Sequence, residues 1–133
     1  MPTTSPMASK AEVIALDACA ARSVDPDRVQ AARDRLVSHQ EANRLGNLFK
    51  LLADPHRLRM LYALAEAGEL CVCDLSAVVE VPESNVSHSL RLLRTSGVVR
   101  ARRSGRMVYY SLDDAHVRLL LDVSREHLRH EAP

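Results

Sequence analysis

The middle of this chain has the pattern of two short helices followed by a hairpin, and this order constrains the fold more than any other feature. Helical patterns cover about Cys71 to Val79 and Pro82 to Thr95, and the few residues between them leave room only for a tight turn. The pattern then changes to strands, from Val98 to Arg102 and from Arg106 to Leu112, around a Ser104-Gly105 turn. We therefore predict a winged helix-turn-helix.

Two Asp-Pro pairs indicate where earlier helices begin, because an aspartate can cap a helix and proline suits its first turn. Asp25-Pro26 begins one helix, which continues toward Leu52 with a break near His39 or Gly46. Asp54-Pro55 begins another, which closes near Gly68. We expect the first of these helices to have one buried face, formed by Val29, Ala32 and Leu36.

The composition supports a mainly helical protein. The 133 residues include only 4 glycines and 3% aromatic side chains, while 47% of the residues are hydrophobic, which disfavours a sandwich or barrel. We divide the chain into residues 1–40, a tail and helical arm carrying Cys19, and residues 41–133, the winged domain. The fold class is thus mainly α with a β-hairpin wing, and homodimeric for the reasons below.

The cysteine count and the absence of a leader pattern predict a cytoplasmic protein with free thiols. The chain has 3 cysteines and lacks both a charged-then-apolar leader and an apolar run long enough to cross a membrane. We accordingly expect neither a membrane partner nor disulfide bonds.

The net charge is only +1, but the charge distribution indicates a nucleic-acid partner. Six arginines and no acidic residue lie between Arg91 and Arg106, in the second short helix and the hairpin. The alternative, a solvated helix beside an arginine-rich turn, does not explain why this block coincides with a helix-turn-helix. The predicted DNA contacts are Ser84, Asn85, Ser87, His88 and Arg91 in the groove, and Arg100, Arg102, Arg103 and Arg106 on the wing.

The last helical segment, Asp113 to His130, carries two pairs of metal-ligand side chains, Asp114 with His116 and His127 with His130. A helix rises about 1.5 Å per residue, so the pairs lie roughly 16 Å apart and cannot close one tetrahedral zinc site. Two antiparallel copies of the helix can close it, which predicts a homodimer with paired intersubunit sites. The alternative is a surface helix with solvated histidines.

Three cysteines form a second candidate metal site. Cys71 and Cys73 stand two residues apart at a helix entrance, and Cys19 could supply a third sulfur from its own chain or from the partner. Such soft ligands suit Cd(II), Pb(II), Cu(I) or As(III) as well as zinc. The equally weighted alternative is that Cys71 and Cys73 are small apolar residues packed at a helix start and that Cys19 is a lone buried thiol.

Several of these segments together resemble the ArsR/SmtB metal-sensing repressors: Leu52–Pro55, Glu69–Leu75, Ser84–His88, Gly105-Arg106 and Tyr109–Leu112. The resemblance covers roughly residues 43 to 131. It implies a dimeric winged-helix protein that represses a metal-efflux or metal-sequestration operon and leaves its operator when metal binds. It also implies a thiolate site at Cys71 and Cys73, and an Asp/His site on the last helix. The chain departs from the family at Ser89, where a glutamine is usual, and at Cys19, which has no second cysteine beside it.

The function we expect is that of a repressor released from operator DNA by Zn(II) at the last helix, with Cd(II) or Pb(II) as alternatives. A second hypothesis makes the cysteines the sensor, for As(III), Cd(II), Pb(II) or an oxidant. A third, from a different class, is a dimeric metal-binding protein without DNA binding. We do not expect an enzyme or a small organic substrate, because four protein ligands close the zinc site and no catalytic constellation is evident.

Overall fold

The computed structural model of the chain describes residues 24–130. The chain forms two compact units, which divide between Glu41 and Ala42. The first described helix, α1, spans Pro26–Arg35, and the second, α2, spans His39–Leu52, with its first turn at the division. The extended residues between them confirm the break expected near His39.

Both Asp-Pro pairs begin helices as predicted. Asp25 caps α1 by accepting a hydrogen bond from the backbone N–H of Arg28 at 3.1 Å. Asp54 caps α3, which spans Pro55–Ala67, by accepting from the N–H of Arg57 at 2.9 Å. Helix α3 ends at Gly68, whose φ of 88° is a conformation that glycine adopts without steric cost.

The prediction of a buried face on α1 was wrong. None of the residues of α1 is buried; Val29 is 39% exposed, Ala32 is exposed, and Leu36, which follows the helix as its C-cap, is 74% exposed. The physical reason lies in the composition of the helix, where charged side chains predominate and Val29 is the only large apolar one. One valine and a few alanines offer too little apolar area to bury a face.

The helix-turn-helix consists of α4, Val72–Val79, and α5, Glu83–Thr95. Helix α4 is capped by Cys71 in an extended conformation, and Glu80, the only non-glycine with positive φ among the described residues, closes it at φ 58°. Pro82 is the N-cap of α5, so this helix begins one residue later than predicted. A proline cap has no side-chain acceptor to offer, and none is used here.

The sheet has three antiparallel strands, one of which we did not predict. The two-residue strand β1, Leu70–Cys71, pairs with β3, Met107–Leu112, which also pairs with β2, Val99–Ser104, so the spatial order is β1-β3-β2. The hairpin between β2 and β3 is the predicted wing. Its turn residues are Gly105 and Arg106 rather than Ser104 and Gly105, because Ser104 still pairs with Met107.

The core lies between α3, α4, α5 and the sheet. Leu61, Leu75, Val86, Leu90 and Leu93 are completely inaccessible to solvent, and further apolar residues from every element of the second unit pack around them. This packing holds the two helices of the helix-turn-helix and the wing in one body. The DNA-binding candidates are therefore carried on a rigid support.

The last helix, α6, spans Ala115–His130 and packs against α3 by polar as well as apolar contacts. The Tyr62 hydroxyl donates to the backbone oxygen of Leu121 at 2.7 Å, and the Arg118 guanidinium donates to that of Ala65 at 2.8 Å. Leu121 is buried, whereas Val123 is 57% exposed. Among residues 24–130, only one side of α6 is covered by other elements.

Candidate functional site

Helix α5 presents a polar face to solvent. Its apolar residues Val86, Leu90 and Leu93 recur at intervals of three and four and are fully buried, so the opposite side must face outward. The predicted groove contacts Ser84, Asn85, His88 and Arg91 are exposed there, whereas Ser87 is half-buried. The Ser84 hydroxyl lies 3.3 Å from the Asn85 side-chain oxygen, as a donor to it.

The four wing arginines differ in their surroundings. Arg100, Arg103 and Arg106 are exposed, and the described part of the chain shows no ion pair to any of them. Arg102 instead makes two hydrogen bonds to Glu69, from Nε at 2.9 Å and from Nη2 at 2.8 Å, and its guanidinium lies 5.1 Å from the centre of the Tyr109 ring. Sequence reasoning grouped all four together, because nothing local distinguishes Arg102.

The Glu69–Arg102 pair changes the acidity of both groups. The hydrogen bond from Arg102 is the main reason why the pKa of Glu69 is lowered, with the positive charges of Arg102 and Arg100 as further causes. The same hydrogen bond raises the pKa of Arg102. The pair is thus ionised throughout the neutral range and joins the wing to the segment that precedes β1.

Cys71 and Cys73 come together with a third ligand at the start of α4. One sulfur from each cysteine and a carboxylate oxygen of Asp74 all lie within 4.8 Å of one another, the only such group of three found among residues 24–130. Both cysteines are free thiols; Cys71 is buried and Cys73 is exposed. Asp74 was missed by sequence reasoning, although a carboxylate directly after two closely spaced cysteines was an available signal.

The surroundings of the cysteine cluster, Cys71, Cys73 and Asp74, favour a cation. The pKa of Cys73 is raised, first by its hydrogen bond with Cys71 and then by the charge of a Cys71 thiolate, by burial, and by the charges of Asp74 and Glu83. The Cys73 thiol also donates to Asp74 Oδ1 at 3.9 Å. The negative charges that make a Cys73 thiolate unfavourable would be neutralised by a bound metal cation. Two sulfurs and one carboxylate oxygen fit a soft divalent ion and leave room for further ligands.

The ligand candidates of α6 form two separate groups within one chain. Asp114 precedes the helix, and its Oδ2 lies 3.5 Å from Nδ1 of His116. The pKa of Asp114 is lowered, chiefly by the hydrogen bond from the backbone N–H of Val117, with His116 as the next partner. His127 and His130 stand in the last turn, where they line a shallow depression with Asp122, Val123 and Glu126. The third cysteine candidate, Cys19, lies outside the described residues.

An apolar groove separates α2 from α6. Its volume is about 500 Å³, and it lies beside the exposed side chains of Phe49 and Leu128, which are 52% and 68% accessible. The remaining lining is mostly apolar as well, from Leu52, Ala53, Leu58, Tyr62, Leu120, Leu121, Ser124 and Arg125. Exposed apolar surface is typical of interaction sites. Among the described helices, none combines the length and the apolar character that a membrane-spanning segment requires.

Comparisons with known proteins agree with this arrangement. Residues 54–101 match the family model described as bacterial regulatory protein, arsR family. The chain is 47% identical over 103 residues to the transcriptional repressor SmtB homolog of Synechocystis sp., covering 77% of each chain. It is 38% identical over 116 residues to the cadmium resistance transcriptional regulatory protein CadC homolog of Staphylococcus aureus, covering 87% of this chain and 95% of that protein.

Solved structures show the same fold. The AntR antimony-specific transcriptional repressor superposes with a TM-score of 0.66 at 36% identity, over 83% of this chain and 96% of that one. A homodimeric winged helix-turn-helix DNA-binding domain from Mycobacterium bovis superposes with a TM-score of 0.62 at 29% identity, over 74% of this chain and 97% of that one. On its sequence, its fold and these relatives, the chain belongs to the ArsR family of bacterial regulatory proteins.

Proposed function

We propose that this protein is a homodimeric transcriptional repressor that binds operator DNA in its metal-free form and is released when a metal ion binds. The observation that carries the proposal is the position of the cysteine cluster, which begins the first helix of the helix-turn-helix. A change in geometry at Cys71 and Cys73 therefore acts directly on the elements that support α5. The relatives named for metal resistance and repression support the same reading.

The DNA-binding surface of the proposal is the exposed face of α5 together with the wing. A helix fits the major groove, where serine, asparagine, histidine and arginine side chains reach base edges and phosphates. Ser84, Asn85, His88 and Arg91 are the groove candidates, with Ser87 at the edge of that face. Arg100, Arg103 and Arg106 are the phosphate or minor-groove candidates on the wing.

We propose two places for metal. Cys71, Cys73 and Asp74 would hold a thiophilic ion such as Cd(II), Pb(II) or As(III), with Cys19 as a candidate for a further sulfur. Asp114 and His116 of one protomer, with His127 and His130 of the other, would hold Zn(II) across the dimer. The 3.5 Å approach of Asp114 to His116 supports this second site, because it gives one half of a tetrahedral ligand set.

The proposed dimer uses the apolar groove between α2 and α6 and the uncovered face of α6. A two-fold axis near the middle of α6 would place the two halves of the zinc site opposite each other. The same contact would cover Phe49, Val123 and Leu128. Two copies of α5 would then be held at a separation suited to successive major grooves.

The energetics allow such a switch. A change from 99:1 to 1:99 between two dimer geometries needs about 5.5 kcal/mol of differential affinity. Structural zinc sites supply on the order of 10 to 16 kcal/mol, so only part of the binding free energy need discriminate between the geometries. The chain's own residues transmit it: Tyr62 and Arg118 tie α6 to α3, and α3 packs against the helix-turn-helix.

The proposal is tested by titrating a labelled operator duplex with the purified protein, with and without Zn(II) or Cd(II). We expect Cys71→Ser and Cys73→Ser to abolish the response to Cd(II), and His116→Ala and His127→Ala to abolish the response to Zn(II). His39→Ala is the matched control, since this histidine of α2 belongs to neither proposed ligand set. A chain that binds no DNA, or whose DNA binding ignores both metals, would contradict the proposal.

A further inference from the structure

We propose that Glu69 is a positioning residue for the wing: its two hydrogen bonds with Arg102 keep the wing in the orientation that operator DNA requires. We further propose that the Glu69–Arg102 pair couples the wing to the cysteine cluster. The inference rests on the proposed function, because it takes the wing as a DNA-contacting element. It assigns Arg102 a different role from that of the other wing arginines.

The strand register places the linked residues in one row across the sheet. Tyr109 in β3 pairs with Cys71 in β1 on one side and with Arg102 in β2 on the other. Directly paired residues of antiparallel strands project their side chains on the same face. The Arg102 guanidinium lies over the Tyr109 ring and donates a hydrogen bond to Glu69, two residues before Cys71. A row of contacts thus runs from the wing to the cysteine cluster.

The chemistry of the pair favours positioning. A guanidinium that makes two parallel hydrogen bonds to a carboxylate has a defined orientation, which a single charged contact lacks. The guanidinium carbon of Arg102 also lies over the Tyr109 ring, 5.1 Å from its centre, so both a carboxylate and an aromatic ring contact this side chain. The Arg102 and Glu69 side chains are nevertheless 57% and 38% exposed. Exposed ion pairs contribute little to folding stability, so variants of this pair should fold.

The position of β1 explains how the Glu69–Arg102 pair can transmit a movement of the cysteine cluster to the wing. This strand consists of Leu70 and Cys71 alone, and α4 begins at the next residue. A shift of Cys71 therefore moves Glu69 with it, because no flexible segment lies between them. Glu69 in turn sets the position of Arg102, in the middle of β2.

The sign of one substitution separates positioning from simple electrostatics. Glu69→Gln removes a negative charge from a DNA-binding unit, so electrostatics alone predicts tighter operator binding. Loss of the Glu69–Arg102 contact predicts weaker operator binding, because the wing must then be ordered when DNA binds. Ordering a side chain costs enough to weaken binding roughly two- to tenfold.

The experiment measures operator affinity of the full-length protein without metal for three variants. We expect Glu69→Gln and Arg102→Lys each to weaken binding two- to tenfold, and the double variant to be no weaker than either. Arg102→Lys keeps the charge that a phosphate contact needs and loses the two parallel hydrogen bonds to Glu69. The matched control is Arg28→Lys, which alters an exposed arginine of α1 that also pairs with a carboxylate, that of Asp25, and is not among the proposed DNA contacts; this variant should bind as the unaltered chain does.

The same titrations with Cd(II) test the link to the cysteine cluster. We expect the ratio of operator affinities without and with Cd(II) to be smaller in Glu69→Gln than in the unaltered chain. Glu69→Gln binding as tightly as the unaltered chain, or more tightly, would overturn the positioning role. Weaker binding with an unchanged Cd(II) ratio would overturn the link. An unaltered chain that ignores Cd(II) would instead remove the cysteine site from the proposed function, while the metal-free comparison still decides the role of Glu69.

Discussion

Cys73 combines exposure to solvent with a pKa raised by its neighbours, chiefly Cys71. Because a thiol must lose its proton to bind metal, Cd(II) binding at the cysteine cluster should release the Cys73 proton across the neutral range. We expect the apparent Cd(II) affinity to rise about tenfold per pH unit from this group alone between about pH 6 and pH 8. Competition titrations with a chelator of known pH behaviour measure this slope.

The Cd(II) affinity should rise with pH because the pKa of Cys73 is raised. A raised pKa keeps the thiol protonated through neutral pH, so each step to higher pH relieves the cost of deprotonation. An affinity that does not change over this range would show that Cys73 is not a ligand. The operator affinity of the metal-free protein is the control, because it does not require the thiolate.

Asp74 is the ligand candidate that only the structure revealed. If its carboxylate binds the metal directly, Asp74→Asn should reduce Cd(II) affinity at least about tenfold, the lower end of the effect of disturbing a metal site. Glu83→Gln is the matched control, since Glu83 also raises the pKa of Cys73 by its charge but is not part of the cluster. Equal losses of Cd(II) affinity in both variants would mean that Asp74 acts only through its negative charge and does not bind the metal directly.

At the scale of elements, the contact between α3 and α6 depends on a hydrogen bond between residues far apart in the sequence. Tyr62→Phe removes the hydroxyl that donates to Leu121. The Leu121 carbonyl lies inside a helix and keeps its backbone partner, so we expect a loss of about 0.5 to 1.5 kcal/mol in the free energy of unfolding. Urea denaturation measures it.

Tyr110→Phe is the control for this loss. Tyr110 is also half-buried, but the described chain shows no hydrogen bond from its hydroxyl. An equal or larger loss in Tyr110→Phe would mean that removal of a half-buried tyrosine hydroxyl as such, and not the bond to α6, lowers the stability. If metal at α6 acts through α3, Tyr62→Phe should in addition weaken the effect of Zn(II) on operator affinity.

For the whole molecule, the proposed dimer rests on the uncovered apolar surface of α2 and α6. Leu128→Glu places a charge in that surface twice in each dimer. Burying a leucine contributes roughly 1.5 to 3 kcal/mol, so dimer dissociation should become easier by at least two powers of ten. Sedimentation equilibrium at graded concentrations measures it, and operator binding should weaken in parallel.

Val78→Glu provides the comparison for the dimer. Val78 is also exposed, at 54%, but it lies on α4 and not beside the groove. It should leave the association constant unchanged. A dimer that survives Leu128→Glu but not Val78→Glu would place the interface on α4 and contradict the intersubunit zinc site.

Local features of the sequence determined much of this fold. The caps at Asp25 and Asp54 and the spacing of Val86, Leu90 and Leu93 involve residues within a few positions of one another, where helix geometry alone decides the outcome. The winged helix-turn-helix was predicted correctly for this reason. The family resemblance of the same segments was confirmed by the relatives.

Tertiary structure decided what the local pattern could not. The strand β1 exists because Cys71 meets Tyr109, and Arg102 differs from its neighbours because it meets Glu69, 33 residues away. The hydrogen bond from Tyr62 to Leu121 spans 59 residues. Such contacts depend on how packed elements meet, and a two-residue strand or a single arginine carries no periodic signal. The sequence by itself therefore determined the helices and the wing, because their signals are local, while packing determined which side chains meet.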